Sequence, residues 1–252
     1  MKIVKIGGNI IDNPKKLSIF LENFAEIKDN KILIHGGGTI ANKFSEKLGI
    51  TPKIYNGRRI TDKHSLDITT MIYAGLLSKR IVANLQSLNC NAMGLSGADA
   101  NIITAKKREI SNIDYGFVGD VTNINVYTIS KFIDIGIVPV INSIAHNNNG
   151  QLLNINADTI AAELATSLAK FYPVELLYFF DKNGVLNKKN IIEKINKYDF
   201  KKLKQLKIIK DGMIPKLDNC FKAVDNGVKS VKIAGEKYFT TNKKVYTEVI
   251  NF

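Results

Sequence analysis

The chain has 252 residues, 45% of them hydrophobic and 23% charged, with a formal net charge of +13. Those values describe a soluble globular chain of one large domain or two joined lobes, and they exclude extended disorder, collagen and coiled coil. The positive balance rests on 32 Lys against 4 Arg, beside 27 Asn and 36 Ile. All three abundant types have A/T-rich codons, so the charge reads as base composition; a nucleic-acid surface would draw more on Arg.

In chain order, residues 2–6 form a buried strand that ends at Gly7-Gly8, and 14–28 a helix with Leu17, Phe20, Leu21 and Phe24 at helical spacing. Strand 31–35 runs into Gly36-Gly37-Gly38 and a helix to about Leu48. Residues 50–62 are extended or turning, and 64–88 form one long helix. A short strand at 90–95 precedes hairpin material over 102–126, with a turn near Asp114-Tyr115-Gly116. A helix at 128–135, a strand at 137–142, a turn at 147–150 and a helix at 157–171 follow. The apolar strand 174–180 ends at Asp181-Lys182-Asn183-Gly184. Helices over 199–207 and 213–227 and a strand over 229–233 close the series. Strands alternating with helices predict an α/β fold: a three-layer αβα sandwich with a mainly parallel, open central sheet.

Cys90 and Cys220 are far apart and no CxxC pair exists, which argues against a disulfide framework or a cysteine zinc site and for a reducing, cytoplasmic setting. The apolar run at Met1 is too short for a signal peptide. The uncharged stretch 81–98 is interrupted by Asn, Gln and Ser, so no membrane span is expected. No His, Asp and Glu spacing suggests a protein-built metal cage, and neither a Walker A pattern nor a G-x-S-x-G is present.

The chemistry concentrates in turns. Glycine clusters after two strands let backbone N–H groups approach an anion at a helix start; a plain strand-to-helix turn is the simpler explanation of either one alone. Gly36-Gly37-Gly38-Thr39-Ile40-Ala41 also matches the dinucleotide fingerprint, but Arg58 and Arg59 stand near the place of its acidic residue, leaving an NADP-binding oxidoreductase as an alternative. Lys5, inside an apolar strand, faces either water on an edge or a phosphate. Asn156 and Asp158 suit the cap and first turn of the helix that follows, with Asn154 unexplained. Lys216 sits near a helix start, where the dipole disfavours a cation unless an anion is close.

Eight segments in order resemble the amino acid kinase family: Lys5-Ile6-Gly7-Gly8, His35-Gly36-Gly37-Gly38, Asn56-Gly57-Arg58-Arg59-Ile60-Thr61, Gly94-Leu95-Ser96-Gly97, Val118-Gly119-Asp120-Val121, Asn154-Ile155-Asn156-Ala157-Asp158, Asp181-Lys182-Asn183-Gly184-Val185-Leu186 and Asp211-Gly212-Met213-Ile214-Pro215-Lys216. The resemblance covers essentially the whole chain. It implies a carbamate kinase-like fold in a single domain over 1–252. The lobe at about 1–170 would serve acceptor binding and dimerisation, and that at about 171–252 nucleotide binding. It implies ATP-dependent phosphorylation of the γ-carboxylate of an N-acylated glutamate, acetyl or alternatively succinyl, in arginine biosynthesis; a non-catalytic binding protein is the remaining alternative.

By the same resemblance Lys5 and Lys216 neutralise the transferring phosphoryl group, Asp158 holds both lysines, and Gly8 and Gly38 donate N–H bonds to it. Gly37, Gly38, Arg59, Asn154 and Asn156 bind the acceptor. Lys5, Gly7, Asp181, Lys182, Gly184, Val185, Leu186, Ile208, Ile209, Lys210, Met213 and Lys216 bind ATP, whose phosphates hold Mg²⁺. The chain begins almost at its first strand, which implies a homodimer through the 64–88 helix, insensitive to arginine. Ala98 and Arg58 depart from the family pattern near the region bordering the acyl group, and the extra cation at Arg58 suits a succinyl carboxylate.

Overall fold

The structure is a computed structural model that describes residues 1–55, 58–110, 112–188, 190–210, 212–241 and 244–251. Asn56, Gly57 and Asp211, named in the motifs above, lie outside the described residues. β1 (Lys2–Ile6) leads into the single turn α1 (Gly8–Ile11) and α2 (Pro14–Ala25), then β2 (Lys31–His35) and α3 (Gly38–Lys47). A small hairpin follows, β3 (Lys53–Tyr55) with β4 (Arg58–Ile60). The predicted long helix is continuous from α4 (Lys63–Thr70) through a π-helical stretch (Met71–Leu77) to α5 (Ser78–Ser87). Next come β5 (Ala92–Leu95), β6 (Ile103–Lys107), β7 (Gly119–Ile124), α6 (Val126–Asp134), β8 (Val138–Ile141), β9 (Ile144–His146), β10 (Leu152–Asn154) and α7 (Ala157–Ala169). The last part holds β11 (Glu175–Phe179), β12 (Leu186–Asn187), β13 (Asn190–Ile191), β14 (Lys194–Ile195), α8 (Lys197–Gln205), α9 (Met213–Asp225), β15 (Ser230–Ala234), α10 (Lys237–Thr240) and β16 (Tyr246–Val249).

The central sheet has eight strands in the order β14-β16-β15-β11-β1-β2-β8-β5. Six neighbouring strands, β15 to β5, are parallel, and only the β15–β16 pairing is antiparallel. The four-stranded sheet β10-β9-β6-β7 lies apart from it. Alternation along β1 sorts the layers: Ile3 packs with α7 and α9, whereas Val4 and Ile6 pack with α2, α4 and α5. Lys5 shares parity with Ile3, so it points to the α7 side. The fold is therefore the expected αβα sandwich.

β1 is central, flanked by β2 on one side and β11 on the other. This is the point at which the order of strands reverses, and ligands of open parallel sheets bind outside the strand C-termini there. The edge-strand alternative for Lys5 is thereby excluded. So is the dinucleotide unit, because β2 and α3 lead to the antiparallel hairpin β3–β4, not to a parallel strand of the sheet. Among the described residues no helix is long and apolar enough to cross a membrane, and both cysteines are free and buried.

Candidate active site

Three charged side chains from three elements meet beyond the end of β1. The Lys5 Nζ lies 2.6 Å from one Asp158 carboxylate oxygen, and the Lys216 Nζ donates to the other at 3.2 Å. Lys5 is 7% and Asp158 6% exposed. Asp158 stands in the first turn of α7, where the helix dipole favours a carboxylate. The Asn156 side chain caps this helix, accepting from the Asp158 and Thr159 N–H groups at 2.8 and 3.3 Å. The Tyr178 hydroxyl donates to the Asp158 carbonyl. Lys216 enters from the first turns of α9, so the anion answering its unfavourable place in that helix is Asp158.

Burial lowers the Lys5 pKa and Lys216 pushes the same way, against the attraction of Asp158. For Asp158 burial acts upward, but Lys5 and Lys216 together hold the carboxyl below its ordinary range. Two ammoniums and one carboxylate leave one net positive charge. Asp158 is committed to both lysines and cannot serve as a general base.

The glycine turns complete the junction. Gly8 and Gly38 open α1 and α3, and among the described residues neither N–H has a protein acceptor. Gly37 is required sterically, since a Cβ there would run into Leu77 Cδ1. The Gly7 N–H is taken by the Phe179 carbonyl. His35 is fully buried; burial pushes it down to about 4, against the Nδ1 contact with the Gly36 carbonyl, so the ring is neutral.

Two cavities open from this junction and share Lys5, Gly8, Gly38, Thr39 and Lys216. The first, about 350 Å³, is lined by Gly37, Arg58, Arg59, Arg108, Asn154, Asn156 and Asp158, among others. Arg59 reaches it from β4 and donates to the Gly38 carbonyl at 3.1 Å and to the Asn42 side chain. Among the described residues its buried Nη1 has no hydrogen-bond acceptor, and the Tyr73 side chain lies beside the guanidinium; a buried donor of this kind suits an anionic ligand. The Asn154 amide donates to Thr61 Oγ1 at 3.1 Å. Arg108 is paired with Asp120, and Arg58, half-buried beside it, is pushed down in pKa first by burial and then by Arg108. Ala98 is exposed before the 3₁₀ turn Asp99–Asn101 and does not line this cavity.

The second cavity, about 790 Å³, is lined by Gly7, Asp181, Lys182, Gly184, Val185, Leu186, Ile208, Ile209, Lys210 and Met213 together with Lys5 and Lys216. All twelve residues that the family resemblance assigns to the nucleotide thus line one groove, apolar at Val185, Leu186 and Ile209 and cationic toward the junction. Sequence reasoning missed Phe180, Asn42, Tyr73 and Arg108, which also line the cavities. Only Arg108 carried a signal, as one of just four arginines; Phe180 read as ordinary strand.

A sequence profile of the amino acid kinase family matches residues 1–235. The chain belongs to the amino acid kinase family. Among its relatives in that family, the acetylglutamate kinase of Cytophaga hutchinsonii is 48% identical over 257 aligned residues, covering 98% of this chain and 97% of the relative. A crystal structure of a Streptococcus mutans protein superposes with a TM-score of 0.84 at 26% identity, covering 100% of this chain and 98% of that one. The carbamate kinase of Giardia lamblia bound to AMP-PNP has a TM-score of 0.69 at 15% identity, covering 100% and 98%, and shares the fold.

Proposed function

We propose that this chain transfers the γ-phosphoryl group of ATP to the γ-carboxylate of N-acetyl-L-glutamate, giving the acyl phosphate, in arginine biosynthesis. The observation that carries the reading is the meeting of two cavities at Lys5, Asp158 and Lys216. A carboxylate acceptor is already ionised at neutral pH, so it attacks phosphorus with no base, and the β-phosphate oxygen leaves as ADP with the bonding pair. A site whose buried carboxylate at the junction, Asp158, is tied to two lysines suits that chemistry. The relative from Cytophaga hutchinsonii carries the corresponding name.

In this reading Lys5 and Lys216 balance the charge that spreads over the transferring phosphoryl oxygens, and the Gly8 and Gly38 N–H groups donate to them. Arg59 grips the α-carboxylate through its buried Nη1, which has no acceptor among the described residues, and Asn154 and Asn156 border the acyl-amino acid. Asn156 does so while its oxygen caps α7. The adenosine part lies against Val185, Leu186, Ile209 and Met213, with Lys182 and Lys210 at the mouth. Among the described residues no three His, Cys, Asp or Glu are gathered to hold a metal; this donor set suits a Mg²⁺ that arrives on the nucleotide phosphates and screens their charge. The reading also takes residues 1–170 as the acceptor and dimerisation lobe, 171–252 as the nucleotide lobe, and the protein as a cytoplasmic homodimer joined through the helix from α4 to α5, on which Met71 is 58% exposed.

One observation favours a second acceptor, N-succinyl-L-glutamate. With Arg59 on the α-carboxylate and the lysines on the γ-carboxylate, Arg58 remains in the cavity with no ion pair of its own among the described residues. A succinyl carboxylate would supply one. Coupled ADP release with N-acetylglutamate, N-succinylglutamate and free glutamate tests both readings. Turnover on an N-acyl form supports the kinase and names the acyl group; turnover on free glutamate alone, or on none, rejects it. Arg58→Leu is expected to lower succinyl but not acetyl turnover, and equal effects on both would remove the second reading.

A further inference from the structure

An aromatic ring lies against both lysines of the junction. Phe180 follows β11 and is buried. The Lys5 Nζ is 5.0 Å and the Lys216 Nζ 4.6 Å from its ring centroid. The two ammoniums therefore share two neighbours, the Asp158 carboxylate and the Phe180 ring. The ring is itself fixed. It stacks on Tyr178 with centroids 6.3 Å apart and an interplanar angle of 8°, and the Tyr178 hydroxyl donates to the Asp158 carbonyl at 2.9 Å. On another side Gly7 gives it room: a Cβ there would come 2.7 Å from Phe180 Cδ1. With its N–H used by Phe179, what Gly7 supplies is clearance for the ring.

The geometry points to Phe180 as a positioning residue for phosphoryl transfer, its π system holding the Lys5 and Lys216 ammoniums together on Asp158. The inference rests on the kinase reading above. Two ammoniums on one carboxylate carry an excess charge that draws the more exposed Lys216 out toward water. A ring attracts a cation through its quadrupole yet offers no lone pair. It holds the ammoniums without taking up the N–H hydrogen bonds that a phosphoryl group must accept. A second carboxylate at this place would neutralise the charge the transfer needs, and an aliphatic side chain would hold nothing. Other titratable groups near the pair are Cys220 on α9 and Tyr178 on β11, both pushed well above their ordinary pKa by burial and so neutral.

The test compares Phe180→Leu, which removes the π system, with Phe180→Tyr, which keeps it; Phe180→Met is the second apolar variant should the leucine protein not fold. Wild-type turnover in the same assay decides the kinase reading, and only the ratio of variant to wild type decides this one. The kcat of F180L is expected to fall about 10- to 30-fold, the size of one desolvated cation–π contact, with the acceptor KM within about twofold. F180Y is expected to stay within about twofold of wild type in kcat. A readout free of catalysis is the ¹³Cε resonance of Lys5 in lysine-labelled protein, assigned with Lys5→Arg. Its titration midpoint should drop in F180L and not in F180Y, because removing the ring withdraws stabilisation from the ammonium. Wild-type kcat and an unchanged Lys5 midpoint in both apolar variants would overturn the inference, as would F180Y behaving like F180L.

Discussion

Replacing Asp158 by Asn keeps the shape of the side chain and removes its charge, so it isolates what the carboxylate does for the two lysines. The consequences differ for the two partners. The Lys216 side chain is 26% exposed and can turn toward water, but the Lys5 side chain is 9% exposed, on a strand in the middle of the sheet, and cannot. The cost is then that of leaving one buried ammonium without its partner, about 3–5 kcal/mol. A chain of this length unfolds with an entropy of about 0.5 kcal/mol per kelvin, so the melting temperature should fall by roughly 6–10 °C. Lys5→Met made in the Asp158→Asn background removes the orphaned charge and should recover most of that loss while remaining inactive, since a buried ion pair is replaceable by apolar volume. Urea and thermal unfolding of wild type, both single variants and the double variant complete the cycle. A loss below about 1 kcal/mol in D158N, or a double variant less stable than D158N, would refute the buried-pair argument.

Other expectations follow from the same geometry. Arg59→Lys keeps a charge but loses the fork that reaches the Gly38 carbonyl, Asn42 and the open Nη1 position; the acceptor KM should rise about 10- to 100-fold with kcat little changed, as read by steady-state kinetics. His35 titrates at about 4 in the folded chain against about 6.5 unfolded, so the unfolded state takes up its proton first and stability drops as pH falls from 6.5 toward 4, by up to about 3 kcal/mol. Urea unfolding of His35→Gln at pH 7 and pH 5 should therefore show a flatter decline than wild type. Gly37→Ala should lower the melting temperature, because its Cβ meets Leu77 in a packed layer.

Much of the fold was legible because its signals are local. The apolar run of β1, the glycines after it and the Asn156 cap of α7 each reflect a backbone requirement within a few residues. The parallel sheet followed from the alternation of elements. What stayed hidden depends on contacts distant in sequence. β16 joins the sheet antiparallel to β15, between it and the edge strand β14, and carries Thr247, whose hydroxyl accepts from the Val185 N–H 62 residues away; its own sequence of four residues has no distinctive period. The long helix was visible, its π-helical stretch at Met71–Leu77 was not, since apolar spacing barely distinguishes the two windings. At the site, Lys5 was noticed as a charge inside an apolar strand, yet its partner on α7 lies 153 residues on, and the pairing needed the fold. Phe180 carried no signal at all, as an aromatic at the end of an apolar strand reads as core. Arg59 was visible as a rare residue type, whereas Asn42 and the Gly38 carbonyl that orient it became evident only when β4 was seen beside α3.

The most direct test of the phosphoryl-transfer account is chemical trapping of its product. Purified protein with Mg·ATP and N-acetylglutamate, run in hydroxylamine, should accumulate the γ-hydroxamate in step with ADP, and Lys5→Ala and Lys216→Ala should each reduce the yield by roughly 100-fold or more. ADP release without hydroxamate from any N-acylglutamate, or full hydroxamate yield from both lysine variants, would contradict it.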